Sequence, residues 1–365
     1  MFPKRVFIHD SVNDPLIQRG VDHCFVNYCS ALASEFPDEL IFYSKRKKFP
    51  RIGKQIYPIN YLLREPFPRR ISNNLDRKIC QNIANQRSDL YYSPYYGRMV
   101  TKIPQVFSAY DMIFEKYENY FSYPGAKVFV DEKKCCFERA SLIICISQNT
   151  ANDILEFYPH INGDKVKVVH IGIEDSFHEK IANNYIGKPY FLFVGNRSLY
   201  KNFERLLIAF GQSNLSSEFD LRIISPINDF PTQKEKEYIT QFRLQNSIKF
   251  EFSVSECVLR KRYQQAFAYV FPSEYEGFGL PLIEAMASGT LVLSSNSSSL
   301  PEIGENIPLY FDPLSIESIK FVLEKSITLP GSERQERINN GVLHSRKFSW
   351  SSSKKKFIDH IHSII

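Results

Sequence analysis

At 365 residues the chain is long for one domain and ample for a large core, so two domains are expected. A hydrophobic share of 43% against 24% charged residues excludes a disordered chain, and seven cysteines match neither the even count nor the density of a small secreted disulfide framework. The formal net charge of +6 is concentrated, for Tyr43 to Arg70 carries nine Lys or Arg against one Glu.

The opening MFPKRVFIHD passes directly into a strand-like run without the pattern of a signal peptide, and nothing reaches the roughly eighteen consecutive apolar residues of a membrane span. A cytoplasmic protein is expected, peripheral at the inner face of the cell membrane if the basic segment 43–70 binds it. In that segment the cations alternate with Tyr, Phe and Ile. It reads either as solvated surface or as a contact for anionic lipid, where each cation is worth roughly 1 kcal/mol. No zinc-finger spacing, basic zipper or aromatic RNA-binding motif gives the charge a nucleic-acid direction, so no nucleic-acid partner is expected.

Along the first half, RVFIH, PQVFSAY (104–110), SLIICIS (141–147) and KVKVV read as buried strands, and FVNYCSALASEF and TANDILEFY as helices. In the second half, YFLFVG (190–195), DLRIIS, IKFEF, FAYVF and TLVLSS read as strands. NFERLLIAFGQ, with Asn202 as its cap, and TQKEKEYITQFRLQN read as helices. Strands alternating with helices predict parallel sheets covered on both faces. The stretch from Glu174 to Lys188 loses periodicity and is the expected linker. Ligands of such sheets sit beyond the carboxyl ends of the strands, so chemistry is sought just after strands.

Two motifs stand there. In GNRSLYKNFERLLIAF, Gly195 ends a strand and Arg197 and Lys201 bracket a short turn before a helix. They fit an anion-binding pair or two loose surface cations equally well by spacing. In EYEGFGLPLIEAMASG, Gly277 and Gly279 allow close backbone approach, Pro281 suits the first helical position and Gly289 the helix end. Glu276 lies in the loop and Glu284 in the helix. They could accept from sugar and ribose hydroxyls or simply favour a helix N-terminus. No Asp-x-Asp triplet, Walker loop, GxGxxG, HExxH or CxxC occurs, so no metal site and no cofactor is expected. His170, alone after KVKVV, reads as a hydrogen-bonded residue rather than a catalyst.

Taken in order, SPYYGRMVTKIPQVFSAYDMIFE, ISQNTANDILEFYP, VVHIGIEDSF, GNRSLYKN, EGFGLPLIEAMASG and SSNSSSLPEIGENIPLYFDP resemble glycosyltransferase family 4, the retaining group with the GT-B fold. The resemblance covers Ser93 to Pro313 and the tail FSWSSSKKKFIDHIHSII, and is weak over the first ninety residues. It implies an α/β chain of two facing Rossmann-like domains. Residues 1–180 would bind the acceptor and 181–345 the nucleotide sugar, with 346–365 returning to the first domain.

It further implies that Arg197 and Lys201 bind the donor diphosphate and that Glu284 holds the ribose. Glu276 and the backbone near Phe278, Gly279 and Leu280 would contact the sugar. Ser298, Ser299 and Leu300 would lie near the phosphates or the sugar, Gly195 in the phosphate-binding segment, and Gly20 in a loop approaching the donor. Tyr110-Asp111 stands where many relatives have His-Asp. A tyrosine donates a hydrogen bond there but does not copy imidazole protonation.

The implied function is transfer of a hexosyl unit, mannosyl among the candidates, from GDP-mannose or another nucleotide-diphosphate hexose to a glycan or lipid-linked glycan during surface polysaccharide or lipopolysaccharide assembly. A non-catalytic nucleotide-sugar or glycan-binding partner and a nucleotide-sugar epimerase of the same fold are the alternatives.

Overall fold

The computed structural model describes residues 5–10, 19–37, 40–44, 54–56, 69–97, 99–181, 185–197, 199–226 and 229–365. The basic segment 43–70 falls outside these apart from 43–44, 54–56 and 69–70. The chain divides into two compact units, Met1–Ile171 with Trp350–Ile365, and Gly172–Ser349.

In the first unit, strands β1 (Val6–Asp10), β2 (Leu40–Ser44), β3 (Lys54–Ile56), β4 (Leu90–Ser93), β5 (Gln105–Ala109), β6 (Leu142–Cys145) and β7 (Val166–Val168) form one sheet in the order β3-β2-β1-β4-β5-β6-β7. Every pairing among them is parallel. The sequence explains this, since β5 and β6 are buried along their whole length and a parallel strand must be apolar on both faces. Helices α1 (Arg19–Glu35), α2 (Arg69–Arg87), α3 (Ile113–Lys116), α4 (Pro124–Arg139) and α5 (Gln148–Phe157) make the connections. Ser147 starts α5 by accepting a hydrogen bond from the Thr150 amide.

In the second unit, β8 (Tyr190–Val194), β9 (Asp220–Ser225), β10 (Ile248–Phe252), β11 (Ala268–Phe271), β12 (Leu291–Ser295) and β13 (Leu309–Phe311) form a parallel sheet ordered β10-β9-β8-β11-β12-β13. Its helices are α6 (Phe203–Gln212), α7 (Gln233–Gln241), α8 (Glu256–Gln265), α9 (Leu280–Ala287), α10 (Leu300–Gly304), α11 (Ile316–Thr328) and α12 (Gly331–Ser345). Phe191 and Phe193 of β8, Val270 of β11 and Leu293 of β12 build one core with Phe203, Leu206 and Phe210 of α6 and Ile319 and Leu323 of α11. The strand order reverses between β8 and β11. A crevice opens outside the carboxyl ends of two strands at such a point.

The division at Ile171 and Gly172 comes earlier than the expected boundary at 180. The residues that follow it bind within the second unit. Ile173 bridges to Ser349, Ser176 Oγ donates to Glu256 at 3.0 Å, Arg260 donates to the Ser176 carbonyl at 2.6 Å, and buried Phe177 meets the Tyr263 ring edge-on.

At the other end, α13 (Trp350–His362) belongs to the first unit. Phe357 stacks on Tyr28 of α1 with centroids 4.3 Å apart, Tyr28 and Ser353 share a hydrogen bond of 3.2 Å, and Trp350 meets Tyr28 edge-on. Phe357 is fully buried, so Phe357→Ala is expected to lower stability by about 3–5 kcal/mol. Trp350 is the only tryptophan, and its fluorescence in a urea titration reports the first unit directly. A change below about 1 kcal/mol would show that the helix does not brace that unit.

Candidate functional site

The loops after β8 and β11 meet at the reversal point. After β8 the backbone turns at Gly195, whose φ of +141° favours glycine although an added Cβ would meet nothing within 4 Å. A short turn, Leu199–Lys201, carries the chain to Lys201, and α6 begins at Phe203. After β11, the loop runs from Pro272 to Gly279 and starts α9. Gly279 has φ +112°, and a Cβ there would approach Leu300 Cδ2 to 2.7 Å. Pro281 follows in the first turn of α9, where its missing N–H costs nothing.

Lys201 and Glu276, the two charged tips of these loops, are bound to each other. Lys201 Nζ donates to both carboxylate oxygens of Glu276, at 2.7 and 2.9 Å, and the two side chains are 15% and 12% exposed. The pair is therefore mostly buried without being sealed from solvent.

The serines between Ser295 and Ser299 hold the backbone of the Glu276 loop. Ser295 Oγ donates to the Ser273 carbonyl at 2.6 Å, and Ser297 Oγ to that of Glu274 at 2.7 Å. Ser298 Oγ accepts from the Glu276 amide at 2.9 Å. Ser299 Oγ, fully buried, donates to the carbonyls of Glu276 and Phe278 at 2.9 and 2.8 Å. These hydroxyls bond the loop backbone; that of Ser299 is shared between two carbonyls, whereas Ser298 only accepts and keeps its own proton. Leu300, also fully buried, packs under Gly279.

Asn202 stands at the N-cap position of α6, as expected, but in a left-handed conformation (φ 58°, ψ 28°) and without a side-chain capping bond. Its Nδ2 donates to the carbonyls of Pro272 and Pro313 at 2.9 and 2.7 Å, and its Oδ1 accepts from Arg205 at 2.7 Å. Arg205 also binds Glu274, whose amide donates to the Tyr200 carbonyl.

The Arg197 side chain is 2% exposed, its guanidinium donating Nε to Glu235 at 2.9 Å and Nη1 to Asp229 and Ser225, both at 3.0 Å. The ring of Phe250 lies 5.1 Å from its carbon. The reason is α7. Thr232 and Glu235 form a capping box, in which one Glu235 oxygen takes the Thr232 amide and the other takes Arg197. Arg197 and Lys201 each hold a carboxylate of the protein. Among the described residues, Arg197 Nη2 alone of its three nitrogens is buried without a partner.

Glu284, on α9, accepts from the Tyr263 hydroxyl at 3.2 Å. Tyr269, on β11, stacks edge-on against Tyr263, and its buried hydroxyl has no hydrogen-bond partner. Burial first, then the charges of Glu276 and Glu284, push its phenol well above the usual range. Sequence reasoning missed Tyr263, Tyr269, Glu235 and Asp229. Of these, Glu235 alone carried a local signal, the Thr-x-x-Glu spacing of a capping box.

Tyr110, Asp111 and Gly20 belong to the first unit. Gly20 lies in the first turn of α1. Tyr110 follows β5, is buried, and has a hydroxyl without a hydrogen-bond partner; burial keeps that phenol neutral. Asp111 Oδ1 accepts from the Ile113 amide at 3.1 Å, and its carbonyl accepts from Lys133 at 3.1 Å. Lys133, fully buried, pairs with Glu115 at 2.7 Å, and Tyr158 donates to the other Glu115 oxygen at 2.8 Å. These bonds fix the backbone that carries Tyr110.

Among the described residues, no group of three or more His, Cys, Asp or Glu is placed to hold a metal ion, and no helix is long and apolar enough to cross a membrane.

Breaking the Arg197 pair leaves Glu235 buried and uncompensated. Arg197→Ala is therefore expected to cost about 3–5 kcal/mol in urea denaturation. Arg205→Ala, at a more exposed ion pair, is expected to cost about 1 kcal/mol. Equal effects would show that Arg197 is not the structural cation described here.

Residues 174–342 match the family model described as Glycosyl transferases group 1. Over 249 residues the chain is 27% identical to the serotype-specific mannosyltransferase WbdA of Escherichia coli, covering 65% of this chain and 30% of that protein. It spans less than a third of the WbdA proteins' length. The O-antigen chain mannosyltransferase B of Escherichia coli is 30% identical over 234 residues, 61% of this chain and 60% of its own. A glycosyltransferase structure from Rickettsia africae superposes with a TM-score of 0.73 at 17% identity, covering 100% of this chain and 99% of the other. The chain thus has the GT-B fold and is related to the group 1 glycosyltransferases.

Proposed function

We propose that the chain is a retaining glycosyltransferase that moves a hexosyl unit from a nucleotide-diphosphate sugar to a glycan or lipid-linked glycan. The finer reading is mannosyl transfer from GDP-mannose in surface polysaccharide assembly, and the names of the two Escherichia coli relatives support it. The observation that carries the proposal is the Lys201–Glu276 pair at the reversal point between β8 and β11.

A donor entering there offers each partner what the other supplies in the free protein. Its diphosphate takes the Lys201 ammonium, and its sugar hydroxyls donate to the Glu276 carboxylate, which as an ion only accepts. The amides of Phe278, Gly279 and Leu280 lie at the start of α9, where hydrogen-bond donors face oxygen. Glu284, oriented by Tyr263, takes the ribose hydroxyls. In transfer, the bond from the anomeric carbon to the phosphate oxygen breaks as the acceptor oxygen bonds the same face. The acceptor's proton passes to the leaving phosphate, whose charge Lys201 offsets. No protein nucleophile is assigned, and catalysis rests on position and charge. Arg197 supports Lys201 indirectly, by fixing the start of the turn that carries it.

Donor-only binding without turnover is a second reading, favoured by the neutral, buried Tyr110 phenol. Recovery of transfer in Tyr110→His from a wild-type protein that binds but does not turn over would select it.

With GDP-, UDP- and dTDP-hexoses and lipid-linked acceptor extracts, the wild-type protein is expected to release nucleotide and extend a glycan with the donor's anomeric configuration. Lys201→Ala is expected to lower kcat by about a hundredfold to a thousandfold, the scale of losing one charge-stabilising group. Folded wild-type protein that consumes no donor would contradict the proposal, and inverted product would contradict the mechanism.

A further inference from the structure

Two non-glycine residues in left-handed conformation adjoin the Lys201–Glu276 pair, one on each side. Asn202 (φ 58°) follows Lys201 in sequence, and Ser298 (φ 53°) holds the Glu276 amide through its Oγ. Such a conformation is disfavoured for a side chain bearing a Cβ, and it persists where the surroundings over-determine it. Asn202 is 3% exposed and donates to the carbonyls that end the β11 and β13 segments, Pro272 and Pro313. Ser298 stands in the run Ser295–Ser299, each of whose serine hydroxyls bonds the backbone between Ser273 and Phe278.

Neither residue is required to close its own helix. The Asn202 side chain makes no capping bond for α6, and Ser299, not Ser298, occupies the cap position of α10. What the two share is the pair between them. Asn202 sets where the backbone of Lys201 sits relative to the loop after β11, and Ser298 sets where the backbone of Glu276 sits relative to β12. We infer that Asn202 and Ser298 are positioning residues for transfer, holding the ammonium and the carboxylate at a fixed separation before a donor arrives. This rests on the transferase reading above.

Preorganisation of this kind separates from stability in an experiment. Ser298→Gly removes the acceptor for the Glu276 amide while relieving the positive φ. Relief of the positive φ offsets part of the lost bond to that part-buried amide, so its thermal midpoint is expected to fall by no more than about 4 °C. Its kcat is expected to fall about tenfold to a hundredfold, the scale of a misplacement near 1 Å, with donor KM changed less than about threefold. Asn202→Gly keeps the backbone conformation and loses the amide. It is expected to lose kcat at least as strongly, with a lower thermal midpoint.

A purely structural role would tie rate to the folded fraction. Full kcat in Ser298→Gly, or a loss no larger than its unfolded fraction, would overturn the proposal while leaving the transferase reading intact. Wild-type protein that consumes no donor would overturn both.

Discussion

The amide of Asn202 gives one proton to the carbonyl of Pro272 and the other to that of Pro313, and the segments leaving β8, β11 and β13 are tied together by it. The rest of the crevice in the second unit follows from this convergence. Strand order places β8 and β11 side by side, but strand order alone does not say how far their loops stand apart. A buried amide with both donors and its acceptor satisfied fixes that distance. Leaving any of the three unmet would cost about 1–3 kcal/mol, so the arrangement is resistant to slippage. On this foundation Lys201 and Glu276 come within hydrogen-bond reach, and the serines after β12 set the height of the Glu276 loop.

Charge in this unit is ordered by depth. The deep cation, Arg197, is bound by Glu235 and Asp229 and belongs to the scaffold, since a buried charge is tolerated only when paired. Lys201 and Glu276 are paired at lesser depth, with side chains 15% and 12% exposed. The same residue types therefore do different work according to burial.

Much of the fold could be read in the sequence because parallel strands buried on both faces leave near-continuous apolar runs, as in Leu142–Cys145 and Ala268–Phe271. The short edge strands β3 and β13 have no such signature. The unit boundary was harder to read, since the contacts that assign 173–181 to the second unit are single side chains, Ser176 and Phe177 among them. Within the site, the glycine and proline positions around Glu276 carry local backbone rules and were legible. Spacing could not tell what Arg197 binds, because its partner Glu235 lies 38 residues away and is delivered by another helix. The partners of the Asn202 side chain were hidden for the same reason. Next to a helix start, asparagine suggests a cap, whereas its bonds reach 70 and 111 residues along the chain.

On the proposed reading, a donor diphosphate takes Lys201 from Glu276 at the β8–β11 crevice while the Asn202 tie stays closed. A crystal structure of the protein with GDP or UDP is the direct test. A phosphate oxygen is expected within about 3 Å of Lys201 Nζ, with the Asn202 bonds to Pro272 and Pro313 unchanged. A nucleotide bound elsewhere, or a phosphate held while Lys201 keeps both oxygens of Glu276, would contradict it.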